Sequence, residues 1–145
     1  MKFKSLFLGA AAAVALAAPA HADPLSLKFG HVGAPGSLFE ASVNAFASCA
    51  NDKLAGKAEV QTFGSSQLGK DKELMQKLKL GQITFSLPSS VMSSVSDEFG
   101  VFEMPYIIKD RDHMRRVQAE LMPTFQKGAN AKGYRIIGLF ENGFR

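Results

Sequence analysis

Leu25-Ser26-Leu27-Lys28-Phe29-Gly30-His31-Val32 sets Leu25, Leu27 and Phe29 against Ser26 and Lys28. That period-2 alternation reads as a strand with a buried face. A loop with Gly33, Pro35 and Gly36 follows. Ser37 with Glu40 three residues later forms a capping box, in which each side chain satisfies a backbone donor of a helix's first turn. Phe39, Val43, Phe46, Ala47, Ala50 and Leu54 then recur at helical spacing, and Gly56 closes the helix. Cys49 falls within this pattern, beside Ala50, and reads as a small buried hydrophobe. A second strand spans Ala58 to Phe63. Strand, helix and strand in that order predict a parallel sheet with right-handed crossovers.

Outward from this unit the alternation continues. Gly64-Ser65-Ser66-Gln67-Leu68-Gly69 is a polar loop opening a helix from about Lys70. Asp71 and Glu73 fall in its first turn, where the helix dipole favours acids. Leu74, Met75 and Leu78 form its buried stripe, Glu73 and Lys77 are spaced to pair, and Gly81 ends it. Ile83 to Leu87 is a third strand; Pro88 then introduces a short helix, Ser89 to Val95. Residues Phe99 to Ile108 are apolar, but Pro105 excludes a regular central strand, so they are expected to be buried irregular backbone. Asp110 to Leu121 reads as a helix with Met114, Val117 and Leu121 inward. Pro123 opens another helix, and Gly133 stops it. Ile136 to Phe140 is a nearly unbroken apolar run, the signature of a parallel strand covered on both faces. An Asn142-Gly143 turn and Arg145 follow. The expected fold is α/β: an open, parallel-type sheet flanked by helices.

The first residues are not part of that fold. Lys2 and Lys4 precede an apolar run, Leu6 to Ala18, too short to span a bilayer, and Ala20-His21-Ala22 fits the small-x-small rule of signal peptidase. Residues 1–22 are therefore expected to be a signal peptide cut after Ala22, which exports the chain to the periplasm. The remaining 123 of the 145 residues make one domain at most. Without Lys2 and Lys4, 15 basic residues face 13 acids. No Lys/Arg cluster is interleaved with aromatics, so nothing favours nucleic acid. Cys49 stands alone and cannot form an internal disulfide.

Signs of catalysis are absent from the pattern. His31 and His113 have no partners at metal-ligand spacing. There is no G-x-S-x-G elbow, Gly64 to Gly69 lacks the lysine of a phosphate-binding loop, and Gly30 to Gly36 has its glycines at the wrong intervals for a dinucleotide. No catalytic residue, metal or cofactor is expected, and the chain does not read as an enzyme. What remains is a set of polar loops at the carboxyl ends of the expected strands, where open α/β sheets bind ligands. They carry His31, Ser65 and Ser66, Ser89 and Ser90, then Asn142 and Arg145. Hydroxyls, helix-terminal N–H groups and one guanidinium suit a small organic anion, since arginine takes a carboxylate through two parallel hydrogen bonds. The plainer alternative stays open: Ser89, Ser90 and Asp71 as helix caps, and Arg145 as a solvated arginine.

Four stretches carry a family resemblance. Leu27-Lys28-Phe29-Gly30, Ser65-Ser66-Gln67-Leu68-Gly69, Val101-Phe102 leading to Pro105-Tyr106, and Asn142-Gly143-Phe144-Arg145 resemble, in order and spacing, the DctP-type solute-binding proteins of TRAP transporters. These are the tripartite ATP-independent periplasmic carriers. The resemblance implies a monomeric, two-lobed, hinged protein that closes on a carboxylate-bearing solute. It would deliver that solute to the small and large membrane subunits of a sodium-coupled carrier or, alternatively, to a membrane sensor. It also implies that Arg145 lies close to the ligand, that Ser89 adds a contact, that the loop around His31 and Val32 lines the pocket, and that Asp71 approaches larger ligands. Two departures accompany it. Thr84 stands where the family usually has Asp after the third-strand isoleucine. The family's second lobe, with its Lys-x-Arg-x-Pro stretch, has no counterpart here, so the chain is expected to be a truncated N-terminal lobe, 23–145.

Overall fold

The computed structural model describes residues 23–88, 90–141 and 143; the expected signal peptide lies outside them. β1 (Leu25–His31) is the middle strand of a three-stranded parallel sheet, with β2 (Ala58–Phe63) on one side and β3 (Phe85–Leu87) on the other. Leu27 lies opposite Val60, and Phe29 lies between Thr62 and Phe85. Parallel neighbours need crossover connections, and α1 (Leu38–Leu54) and α2 (Asp71–Lys79) supply them. The open parallel sheet flanked by helices is thus the fold the alternating pattern predicts.

Successive strand residues face opposite sides, so Phe29 and Gly30 organise the two faces of β1. Phe29 is buried with Val43 and Ala47 of α1 and Val60 of β2. Its ring lies 5.5 Å from Phe46 and 5.6 Å from Phe85. At Gly30 a Cβ would stand only 2.7 Å from Leu74 Cδ2, so the bare backbone lets α2 sit close and bury Leu74 completely. Along the free side of β2, the Asn51 amide of α1 accepts from Val60 N–H (2.7 Å) and donates to Val60 C=O (3.2 Å). Those contacts occupy edge groups that would otherwise invite another strand.

Local details depart from the expectations where a backbone group competes for a side chain. Ser37 caps α1 by accepting from Glu40 N–H, but Glu40 reaches back to Gly36 N–H (2.6 Å), one residue short of the reciprocal box. The expected Glu73–Lys77 pair gives way to two backbone contacts. Glu73 accepts from Lys70 N–H (3.0 Å), and Lys77 Nζ donates to Leu68 C=O (2.7 Å). A solvated helical ion pair contributes only a few tenths of a kcal/mol, less than satisfying an end group of the helix. Cys49 is exposed, not buried. Six residues beyond Val43 the helix has turned roughly 240° away from the sheet, at about 100° per residue.

The larger corrections lie in the second half of the chain. Two helices were expected around Pro123; a single α3 (Arg111–Ala131) runs through it. Proline inside a helix costs about 3 kcal/mol through its missing donor and ring clash. Tertiary packing offsets this: Phe125, fully buried, stacks on Phe99 at 4.7 Å and meets Phe102 at 5.3 Å. Residues Asp97–Glu103 form a 3₁₀ helix. The expected burial of the whole apolar stretch fails after Phe102: Met104 is exposed, and Tyr106, at a left-handed φ of 60°, is 97% exposed.

Ile136 to Phe140 is not a strand in this structure. Side-chain anchoring decides its path instead of ladder pairing. Tyr134 Oη donates to Met75 C=O (3.1 Å), Phe140 packs edge-on to Phe39 (6.0 Å), and Glu141 accepts from Arg111 Nε (2.9 and 3.1 Å). The guanidinium holds the Glu141 carboxyl below the usual carboxylate range. An apolar run of five residues specifies burial but not the strand that would pair with it.

Candidate functional site

Where β1 and β2 end, their following backbones are stitched together. Ser65 N–H donates to Gly33 C=O (2.9 Å) and Ser66 N–H to His31 C=O (3.2 Å). Gln67 N–H closes on Gly64 C=O and Gly69 N–H on Ser66 C=O, at 3.0 and 2.9 Å. Ser65 and Ser66 are both left-handed, with φ of 52° and 60°. Each such residue costs on the order of 1–3 kcal/mol, and strain of this kind concentrates at binding sites.

Beside this loop opens a cleft of about 560 Å³, within the usual range for small-molecule sites. Val32, directly after β1, and Ser66 form one wall, and Lys70 to Glu73 at the start of α2 another. Val91, from the 3₁₀ turn Ser90–Ser94, completes it. The cleft therefore sits at the carboxyl ends of parallel strands, the position open α/β sheets reserve for ligands. It offers a hydroxyl, two ammonium groups balanced by two carboxylates, and two valine walls. Glu73 already occupies Lys70 N–H, which leaves less of the helix terminus for an outside anion.

The structure distributes the expected site residues unevenly. Asp71 is half-buried and lines the cleft as the first residue of α2. Ser90 opens the 3₁₀ turn that brings Val91 to the same place. Ser89, Asn142 and Arg145 lie outside the described residues. Gly143 between them adopts a left-handed φ of 83°, as an Asn-Gly turn favours. His31 lies beneath the rim, 1% exposed, its Nδ1 without a hydrogen-bond partner among the described residues. Burial holds its pKa below the usual value, with the Glu40 carboxylate pulling the other way. Lys70, Lys72 and Val91 were not singled out from sequence. The signal available was their position, directly after the Gly64–Gly69 loop and within the Ser-rich turn.

Gly33 holds this corner together. A Cβ there would lie 2.4 Å from Phe39 Cβ, 2.6 Å from the capping Ser37 Oγ and 3.1 Å from His31 Nδ1. Phe39 Cβ is fixed by the backbone, Ser37 Oγ is held by its cap bond to Glu40 N–H, and the His31 ring is enclosed. Gly33→Ala is expected to cost about 2 kcal/mol of stability, as overpacking typically does, while Gly100→Ala, with nothing within 4 Å, stays within about 0.5 kcal/mol. Urea denaturation of both variants checks this, and equal midpoints would contradict the tight corner.

Residues 29–145 match the family described as bacterial extracellular solute-binding protein, family 7 (DctP). The chain is 34% identical over 138 residues to the C4-dicarboxylate-binding periplasmic protein DctP of Rhodobacter capsulatus, covering 93% of this chain and 41% of that protein. The crystal structure of a TRAP periplasmic solute-binding protein from Sulfurospirillum deleyianum with bound succinate superposes with a TM-score of 0.71 at 32% identity, over 77% of this chain and 37% of that one. The sugar acid binding protein DctPAm from Advenella mimigardefordensis, in complex with galactonate, gives 0.71 at 27% identity, over 77% and 36%. The chain thus spans about two fifths of the length of these relatives.

Proposed function

The chain belongs to the DctP family of bacterial extracellular solute-binding proteins, and from that membership we infer that it forms the N-terminal lobe of a TRAP transporter's extracytoplasmic solute-binding component. It takes a small organic acid for sodium-coupled uptake and performs no chemistry on it. The observation that carries this reading is the cleft lined by Val32, Ser66, Lys70, Asp71 and Val91 at the carboxyl ends of β1 and β2. The named relatives add the ligand class: one carries succinate and another galactonate, both organic acids.

In this reading Arg145 takes a ligand carboxylate through its two-pronged guanidinium. Asn142, Ser89 and Ser90 contribute polar contacts along the rim, and Asp71 meets the far end of longer ligands. His31 supports the rim from below. A second lobe, supplied by sequence such as the relatives possess beyond the matched region, closes the pocket, because hinged binding proteins trap ligands between two domains. The protein works in the periplasm, exported by a signal peptide cut after Ala22, as a monomer that passes its ligand to the small and large membrane subunits of the carrier. Among the described residues no helix is long and apolar enough to cross a membrane.

Calorimetry of the full-length protein with succinate, galactonate and succinamide tests the ligand class. Saturable binding of at least one acid is expected, with none of the uncharged diamide. Equal binding of succinate and succinamide would remove the carboxylate from the account.

A further inference from the structure

We propose that His31 is a positioning residue for the cleft: its neutral ring, packed on Gly64, fixes the 64–66 loop that presents Ser66, and protonation of the ring releases that loop. The geometry is unusually close. An ideal Cβ on Gly64 would stand 2.9 Å from His31 Cε1 and 3.0 Å from Nε2, and one on Gly33 would stand 3.1 Å from Nδ1. The imidazole thus fills the gap between two side-chain-free backbones, with 1% of its surface exposed. The same two segments are joined by the Ser65 N–H to Gly33 C=O and Ser66 N–H to His31 C=O bonds. The strained left-handed turn at Ser65 and Ser66 is therefore tied to the end of β1 by two hydrogen bonds and the ring beneath it.

Protonation changes what this packing requires. A neutral imidazole donates from one nitrogen, whereas the cation donates from both, and Nδ1 has no acceptor among the described residues. The charged groups around the ring do not supply one. Glu40 of α1 exerts an opposing pull through space, but its carboxylate accepts from Gly36 N–H and makes no hydrogen bond to His31 Nδ1. The 64–66 loop carries no charge, β3 brings Leu87 opposite His31, and the charges of Lys70 and Asp71 on α2 line the cleft beside Ser66. Burial lowers the ring's pKa from 6.5. The neutral form is therefore favoured by folding above pH 6.5, and its contribution is lost as pH falls from there through the folded-state value. Two backbone bonds and the ring tie this turn to the end of β1, whereas the sheet keeps its own ladder, so the loss is local: the loop opens before the sheet does.

Amide hydrogen exchange on the ligand-free, full-length protein tests the lock directly. Its consequence for binding rests on the organic-acid reading above, but the exchange measurement does not. Between about pH 7.5 and about pH 5, protection at Ser65 and Ser66, corrected for intrinsic rates, is expected to fall about tenfold for each unit by which the ring's pKa is depressed. Leu27 and Phe29 in β1 keep theirs. His31→Phe fills the same space without titrating and should make Ser65 and Ser66 protection independent of pH. His31→Asn, without the ring, should leave both amides poorly protected throughout. Should the Phe variant not fold, the wild-type titration decides alone, with the ring followed by its own NMR shifts. Steady Ser65 and Ser66 protection while His31 takes up its proton would overturn the proposal, as would wild-type pH dependence retained by His31→Phe.

Discussion

Phe125→Ala is expected to lower the stability of the full-length protein by about 4 kcal/mol, the middle of the range for deleting a buried phenylalanine side chain. Phe125 has no exposed surface and joins α3 to the 3₁₀ segment through Phe99 and Phe102. It also sits two residues past Pro123, at the point where α3 has lost a hydrogen bond. The ring therefore has two roles: it fills the space between the segments, and it offsets the defect in the helix. Removing it leaves a cavity and takes away the reason for α3 to continue past the proline. The denaturation midpoint should fall, and far-UV circular dichroism should report lost helix before the sheet melts. Phe125→Leu keeps most of the volume and should cost less than half as much. A loss below about 1 kcal/mol for the alanine variant would show that the aromatic cluster does not hold α3.

Arg145→Ala is expected to weaken binding of the organic acid by 2–5 kcal/mol, or roughly thirty- to several-thousand-fold in Kd. The size follows from what the substitution leaves behind: a carboxylate enclosed in the pocket without its charge-assisted partner. Arg145→Lys keeps the charge but loses the two-pronged geometry, so it should recover only part of the affinity. Calorimetry of the full-length protein with succinate, at fixed salt, compares the three forms. Unchanged affinity in the alanine variant would remove Arg145 from the site and turn it back into a solvated side chain.

The βαβ unit was legible because its signals are local. The alternation of Leu25 to Phe29, the Ser37 cap and the spacing of Val43, Ala47, Ala50 and Leu54 each act within a turn or two of chain. The structure keeps the strand, the cap and the helix stripe, except that Leu25 at the strand's start is 65% exposed. What could not be read depends on partners distant in sequence. Pro123 looked like a helix start because the Phe125 contact with Phe99 is invisible in the pattern. Ile136 to Phe140 looked like a strand because apolar runs do not name their neighbours. Tyr134, Phe140 and Glu141 instead fasten this segment to Met75, Phe39 and Arg111. The site shows the same division. Its location followed from strand order, since loops at carboxyl ends converge. Which side chains face the opening followed only in part: Val32, Ser66 and Asp71 were expected there and line it, Lys70 and Val91 were not, and His31 is enclosed below by the approach of Gly33 and Gly64.

Succinate titrated into the ¹⁵N-labelled full-length protein, with amide shifts followed residue by residue, tests most directly whether this cleft is where the ligand sits. The largest saturable changes are expected at Val32, Ser66, Lys70 and Val91, with little at the Lys57–Ala58 end of the sheet. Changes concentrated at that opposite end, or on the outer surface of α3, would contradict the placement of the ligand on the rim.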